Sequence, residues 1–177
     1  MESSGADTAV LKSIGATFDH VAHAVPSIRL ALPLYRDVLG GRVAGGGFNE
    51  WGGHLAVHFV YPGGGRVELL EQIHPESTSM ANFLRRSPRG GLHHLTFKVQ
   101  DLREAIQVVE SAGFLTFGTV LDGSAWQETY LHPRTTGGVL IQLAQSPPGV
   151  PPPFDRPIEA ILDEADSRRR RFSPPQT

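Results

Sequence analysis

Two stretches of the chain repeat one order of apolar and polar positions. In FDHVAHAVPSIRLALPLYRDVLG and LHHLTFKVQDLREAIQVVESAGF, a short alternating segment runs into a segment of helical period. His20 aligns with His94, Val25 with Val99, Arg29 with Arg103 and Ala31 with Ala105. Further on, RVELLEQ aligns with LIQLAQ and places Glu68 on Gln142, so both polar pairs are 74 positions apart (20 to 94, 68 to 142). Each half reads as βαβββ. In the first, a strand over 19–25 precedes a helix capped by Ser27, with Ala31, Leu34, Tyr35 and Val38 on its inner side and Gly40 and Gly41 at its end. Strands follow near 41–44, 55–61 and 66–71, and the glycine runs between them read as turns. A short helix near 79–85 leads to the second half. There a strand over 92–99, a helix capped by Asp101 and stopped by Gly113, and strands near 115–120, 127–132 and 139–144 repeat the layout.

Neither half can bury its apolar faces alone. The expected fold class is therefore α+β: two paired βαβββ modules, sheets side by side, forming a curved mixed sheet around a metal-binding cavity. The expected division is a loose lead-in over 1–16, a domain over 17–146 with modules at about 17–75 and 91–146, and a tail over 147–177. SPPGVPPPFDRP makes that tail extended at first. Pro157 then opens an amphipathic helix with Ile158, Ile161, Leu162 and Ala165 on one side, laid on the domain or on a partner subunit. Arg168 to Arg171 form its solvated end.

Composition narrows the chemistry. The 177 residues suit one domain, and with 40% apolar residues it has material for a core. A net charge of −2 gives no overall field for nucleic acid, and the absence of cysteine removes thiolate metal sites and a thiol nucleophile. No leader-like start and no apolar run of about 18 residues is present, so the expectation is a soluble cytoplasmic protein with no membrane or nucleic-acid partner.

Strand alternation puts His20 with Ala22 and Ala24, and His94 with Thr96 and Lys98, on the face away from the helices. A carboxylate or imidazole on such a strand is costly to bury without a partner. A pseudo-twofold relation between the halves brings His20, Glu68, His94 and Gln142 to one centre. Two imidazoles and two side-chain oxygens suit one divalent ion (Co, Mn, Ni, Fe, Zn or Mg) and leave positions for a substrate with two nearby oxygens.

These residues carry a resemblance. FDHVAHAV…LYRDVLGG, VELLEQ, GLHHLTFKVQDL and HPRTTGGVLIQL resemble the vicinal-oxygen-chelate (glyoxalase/bleomycin resistance/dioxygenase) superfamily, in its methylmalonyl-CoA epimerase-like branch. The resemblance spans about 18–145 and implies a divalent metal at His20, Glu68, His94 and Gln142, with proton abstraction next to a carbonyl. It implies a small-molecule substrate, acyl-CoA among those that fit; family members are often dimers, so a homodimer is allowed. The branch commonly carries glutamates for proton transfer where this chain has Gln142 and, by alignment, Ala56. Three candidates for the base remain: Glu68, His58 on the face of Ala56, and Glu128. Glu71 and His23 fall on the opposite face. Two alternatives stay open. One is a glyoxalase- or dioxygenase-type metalloenzyme. The other is a non-catalytic resistance-type protein with Trp51, Trp126 or Phe83 in an aromatic cleft.

Overall fold

The computed structural model describes residues 12–74 and 78–172. Residues 1–11 of the expected lead-in and 173–177 of the tail lie outside the described residues. Eight strands form one sheet: β1 (Thr17–Ala24), β2 (Arg42–Asn49), β3 (His54–Val60), β4 (Arg66–Gln72), β5 (Gly91–Lys98), β6 (Thr116–Val120), β7 (Gln127–Leu131) and β8 (Ile141–Gln145). Their spatial order is β2-β3-β4-β1-β5-β8-β7-β6. β1 is parallel to β4 and β5 to β8, while β1 and β5 meet antiparallel at the centre. The two halves thus repeat one pairing scheme on either side of the β1–β5 seam, which is the expected α+β sheet of paired modules.

The helices among the described residues are α1 (Ile28–Leu32), α2 (Thr78–Arg86), α3 (Leu102–Ser111) and α4 (Ile158–Phe172). α1 is capped by the Ser27 side chain and α3 by Asp101, each accepting from a backbone N–H three residues on. α1 does not keep its phase: Pro33–Val38 continues as a wider π-helical turn, with Leu39 N–H donating to the Leu34 carbonyl. The wider turn rotates the inward face. Ile28 and Leu32 are buried, whereas Leu34 and Val38, expected inside, are 50% and 75% exposed.

One outer core joins Ile28 and Leu32 to Leu55, Val57, Phe59 and Leu69 of the sheet and to Ile161, Leu162 and Ala165 of α4. A second, under α3, holds Leu102, Ala105, Val109, Leu131 and Leu143. The tail helix therefore lies on the domain itself. Arg29 pairs with Asp163 at 2.6 Å and Asp166 at 3.0 Å, and Arg169 reaches Glu71 at 2.8 Å.

The glycine run read as a turn is instead strand β2. At Gly45 a Cβ would stand 2.3 Å from the Pro152 carbonyl oxygen, and at Gly46 one would stand 2.1 Å from the Ala56 carbonyl oxygen. Gly46 N–H donates to the Pro152 carbonyl. Only glycine lets the proline-rich tail approach β2 so closely.

The other face of the sheet carries small residues, Ala22, Ala24 and Ala56. α2 covers one end of it with Met80, Phe83 and Leu84 against Ala22, Ala24 and Leu70. Beyond that cover the face is polar. No helix among the described residues is long and apolar enough to cross a membrane.

Candidate metal centre

Register brings the polar side chains together in two rows. His58 on β3 stands opposite Glu68 on β4; Glu68 neighbours Ala22 on β1; Ala22 stands opposite His94 on β5. His20, two residues before Ala22 and on the same face, pairs with Thr96, which neighbours Gln142 on β8 and, beyond it, Tyr130 on β7. His20, His58, Glu68, His94, Thr96 and Gln142 are all buried.

Glu68 is the centre. Its Oε1 lies 3.1 Å from His58 Nε2, and its Oε2 lies 3.4 Å from His20 Nε2 and 3.6 Å from His94 Nε2. One ligand atom from each of His20, His58 and Glu68 lies within 4.8 Å of the others. His94 Nε2 is buried with no hydrogen-bond partner. A buried ring nitrogen aimed at a carboxylate yet bonded to nothing is what a cation between them would satisfy, so the donor set fits a divalent ion.

Two irregularities in the β1–β5 ladder aim the histidines. Phe18 pairs with Phe97 and His20 with Thr96, which leaves Asp19 as an extra residue on β1. Ala22 pairs with His94 and His23 with Leu92, which leaves His93 as an extra residue on β5. Bulges of this kind re-aim side chains next to functional sites. Each extra residue bonds the ring that follows it: Asp19 Oδ2 is 2.7 Å from His20 Nδ1, and His93 Nδ1 is 2.8 Å from His94 Nδ1. Arg66 holds the other Asp19 oxygen at 2.9 Å.

The electrostatics separate the groups. Burial pulls His20 down, but hydrogen bonds and charge from Asp19 and Glu68 outweigh it and raise its pKa to about 8. Burial takes His94 down to about 3 and His93 to about 4, so both rings are neutral and carry a lone pair at neutral pH. Burial alone raises Glu68, yet His20 and His58 hold it well below the usual carboxylate range.

Gln142 faces a different network. Its carbonyl oxygen accepts from the Thr96 hydroxyl at 2.6 Å. Its amide nitrogen donates to Glu128 Oε2 at 2.6 Å and to the Tyr130 hydroxyl at 3.0 Å. Trp126 Nε1 also donates to Glu128 Oε2, at 2.7 Å. Burial pushes the Glu128 carboxyl up, against the lowering effect of Trp126 and Gln142. Glu128 pairs with Ala144 as Ala56 pairs with Leu70, so Glu128 occupies in the second half the place that Ala56 occupies in the first.

Of the residues singled out in the sequence, His20, Glu68, His94 and His58 meet directly, and Gln142 and Glu128 adjoin them through Thr96. Glu71 and His23 lie elsewhere: Glu71 accepts from Ile28 N–H at 2.5 Å, and the His23 ring is hydrogen-bonded to the Tyr35 hydroxyl at 2.5 Å. Trp51 is 87% exposed, Phe83 packs on His93, and Trp126 holds Glu128, so the three do not form one aromatic cleft. Asp19, Thr96 and Tyr130 were not singled out for a role. Asp19 directly precedes His20, and Tyr130 shares the alternation of Glu128, but neither signal reveals a hydrogen bond.

Fold and donor cluster define paired modules around a His/Glu group that could hold a metal ion. Residues 19–129 match the family described as the glyoxalase/bleomycin resistance protein/dioxygenase superfamily. The ethylmalonyl-CoA/methylmalonyl-CoA epimerase of Cereibacter sphaeroides is 33% identical over 130 residues, covering 72% of this chain and 96% of that protein. The mitochondrial methylmalonyl-CoA epimerase of Homo sapiens is 30% identical over 131 residues, covering 72% of this chain and 73% of that one. The crystal structure of methylmalonyl-CoA epimerase from Mycobacterium tuberculosis aligns with a TM-score of 0.69 at 27% identity, over 81% of this chain and 97% of that one. The chain belongs to the glyoxalase/bleomycin resistance protein/dioxygenase superfamily, as its motifs imply.

Proposed function

We propose that the chain is a metal-dependent epimerase that moves the proton on the carbon next to the thioester carbonyl of a small acyl-CoA. The relatives named above support the reaction class. The observation that carries the reading is the division of the polar face: Glu68 with His20 and His58 in the first half, and a second, half-buried carboxylate, Glu128, in the other.

His20, Glu68 and His94 hold the ion in this reading, whichever divalent metal it is. An ion bound there would supply Lewis acidity to the substrate carbonyl and so would make the neighbouring C–H easier to remove. Glu128 takes the proton. Its burial raises its basicity, Trp126 and Gln142 fix one oxygen, and the Tyr130 hydroxyl donates to the other at 3.4 Å. Epimerisation returns a proton to the opposite side of the carbon, so a second group is needed from the other half. Glu68 and His58 are the candidates there, and α2 covers one end of this face of the sheet with Met80, Phe83 and Leu84. The glutamates implied by the resemblance at Gln142 and Ala56 are thus replaced by Glu68 and Glu128, one step across the pseudo-twofold relation. The same reading keeps the protein cytoplasmic and allows a homodimer.

The test is exchange of solvent deuterium into a panel of acyl-CoA thioesters that includes methylmalonyl-CoA and ethylmalonyl-CoA. Metal-loaded protein is expected to exchange one α-hydrogen. Glu128→Gln is expected to lose about 10²- to 10⁴-fold in exchange rate with unchanged metal content. A metal-loaded protein that exchanges no α-hydrogen in any of them overturns the reading.

A further inference from the structure

We propose that a cavity walled by α4 holds the 3′-phosphoadenosine end of the acyl-CoA, with Arg171 as a phosphate contact and Phe172 as a base contact. The inference rests on the reading of the substrate as an acyl-CoA, not on the reaction assigned to it.

Shape is the first argument. A cavity of about 510 Å³ lies at the tip of the β2–β3 hairpin, with Phe48, His54 and His74 on one side and Arg168, Arg171 and Phe172 of α4 on the other. That is the size of a small-ligand site. Its α4 wall is fixed from behind, because Arg29 pairs with Asp163 and Asp166, and Arg169 with Glu71. α4 lies beyond residues 19–129, the reach of the family match, so this wall is built outside the shared modules.

Chemistry is the second. The walls bring flat surfaces and positive charge together. The Arg168 guanidinium lies over the Phe48 ring at 4.0 Å, and the His74 and Phe172 rings have centroids 4.1 Å apart. Aromatic faces and guanidinium planes both stack bases. Arg168 is paired with Glu50 and Glu164, and Glu164 is shared with Arg156. Arg171 is exposed, and no carboxylate pairs with it among the described residues. A guanidinium to spare beside stacked rings suits a phosphate ester. A planar base joined to phosphate is a nucleotide, and acyl-CoA ends in one.

Position is the third. His54 ties the cavity to the polar face of the sheet. Alternation along β3 puts it on the side of Ala56 and His58, and its charge bears on His93 and His94. The run of strand from His54 to His58 is about 13 Å long. The pantetheine arm, with two amides and a pyrophosphate, is longer than that when extended. Ala56, halfway along, is small enough to lie beneath it. The nucleotide can therefore sit against α4 while the thioester reaches Glu68.

The test is calorimetric titration of the full-length protein with CoA and with adenosine 3′,5′-bisphosphate, which needs no turnover. Wild type is expected to bind both. Arg171→Ala and Phe172→Ala are each expected to weaken both by about 10-fold, with metal content and melting temperature unchanged, since both side chains are exposed. Arg171→Lys is expected to recover part of the loss. In the exchange assay the alanine variants are expected to raise KM for the acyl-CoA by the same factor at unchanged kcat. Their rate on the matching acyl-pantetheine thioester, which lacks the nucleotide, is expected to equal wild type. No binding of the bisphosphate, or equal affinity in the alanine variants, overturns the proposal. So does tighter binding of AMP or ATP than of CoA, which makes the cavity a site for a free nucleotide. CoA binding that depends on Arg171 in a protein that exchanges no α-hydrogen refutes the epimerase reading and leaves the cavity assignment standing. Exchange whose KM ignores both variants refutes the cavity assignment alone.

Discussion

His20 and His94 owe their aim to the residue before each. A strand of perfect alternation would point Asp19 and His93 to the opposite face; the extra residue in each ladder bends them back toward the following ring. Groups that bond the far nitrogen of a ligating imidazole fix its tautomer and angle, and their loss costs about 10- to 100-fold in metal affinity. Asp19→Ala is therefore expected to weaken metal binding by that factor in a titration of the stripped protein, with fold and melting profile of the stripped form close to wild type. Equal affinities refute the orienting role. The 74-residue repeat made the approach of His20, Glu68 and His94 legible from sequence, because residues at matched positions of two like modules share one cause, whereas Gln142 adjoins them only through Thr96. The hydrogen bonds of Asp19, Thr96 and Tyr130 were not legible, because a bulge shifts register by one residue without any mark in composition.

Among the elements, α4 shows where periodicity suffices and where it fails. Ile158, Ile161, Leu162 and Ala165 announce the helix and its inner side. What they cannot announce is the seat, because that depends on glycines of β2 more than 100 positions earlier, which accept the tail only through close backbone approach. The phase of α1 was likewise hidden, since Pro33 starts a wider turn whose rotation only the packed structure sets. Glu71 links the two helices: it accepts from Ile28 N–H and faces Arg169 of α4. Burial pushes its carboxyl up despite both partners. A raised folded-state pKa gives stability that is complete below the unfolded value, about 4.3, and is lost as pH rises through the folded value. Glu71→Gln does not titrate. Wild type is therefore expected to lose melting temperature relative to Glu71→Gln as pH is raised from about 4 toward 7; a difference constant across that interval refutes the assignment.

In the molecule as a whole, the two halves meet along one antiparallel strand pair, β1 with β5, and the ligand cluster straddles that pair. His20 and Glu68 come from one side, His94 from the other. An ion held by both adds a link across the seam and binds only the folded state. At a free metal concentration 100 times its dissociation constant, stabilisation is expected to reach about 2.7 kcal/mol. Melting of stripped protein with and without Co(II) measures this, and addition of a chelator should reverse it; a melting temperature indifferent to metal refutes a bridging site. The α+β class was legible because a repeated βαβββ pattern admits few ways to bury its faces. The curl of the sheet around its small-residue side follows from the same sequence, through Ala22, Ala24 and Ala56 on one face and Leu55, Val57 and Phe59 on the other. That uneven distribution of bulk separates what the protein can accommodate from what it can do. In the proposed reading, a methyl group added at Ala56 trims the room for a longer acyl chain, while every donor and every carboxylate stays in place. Breadth of diet and power of chemistry can thus drift independently in this scaffold.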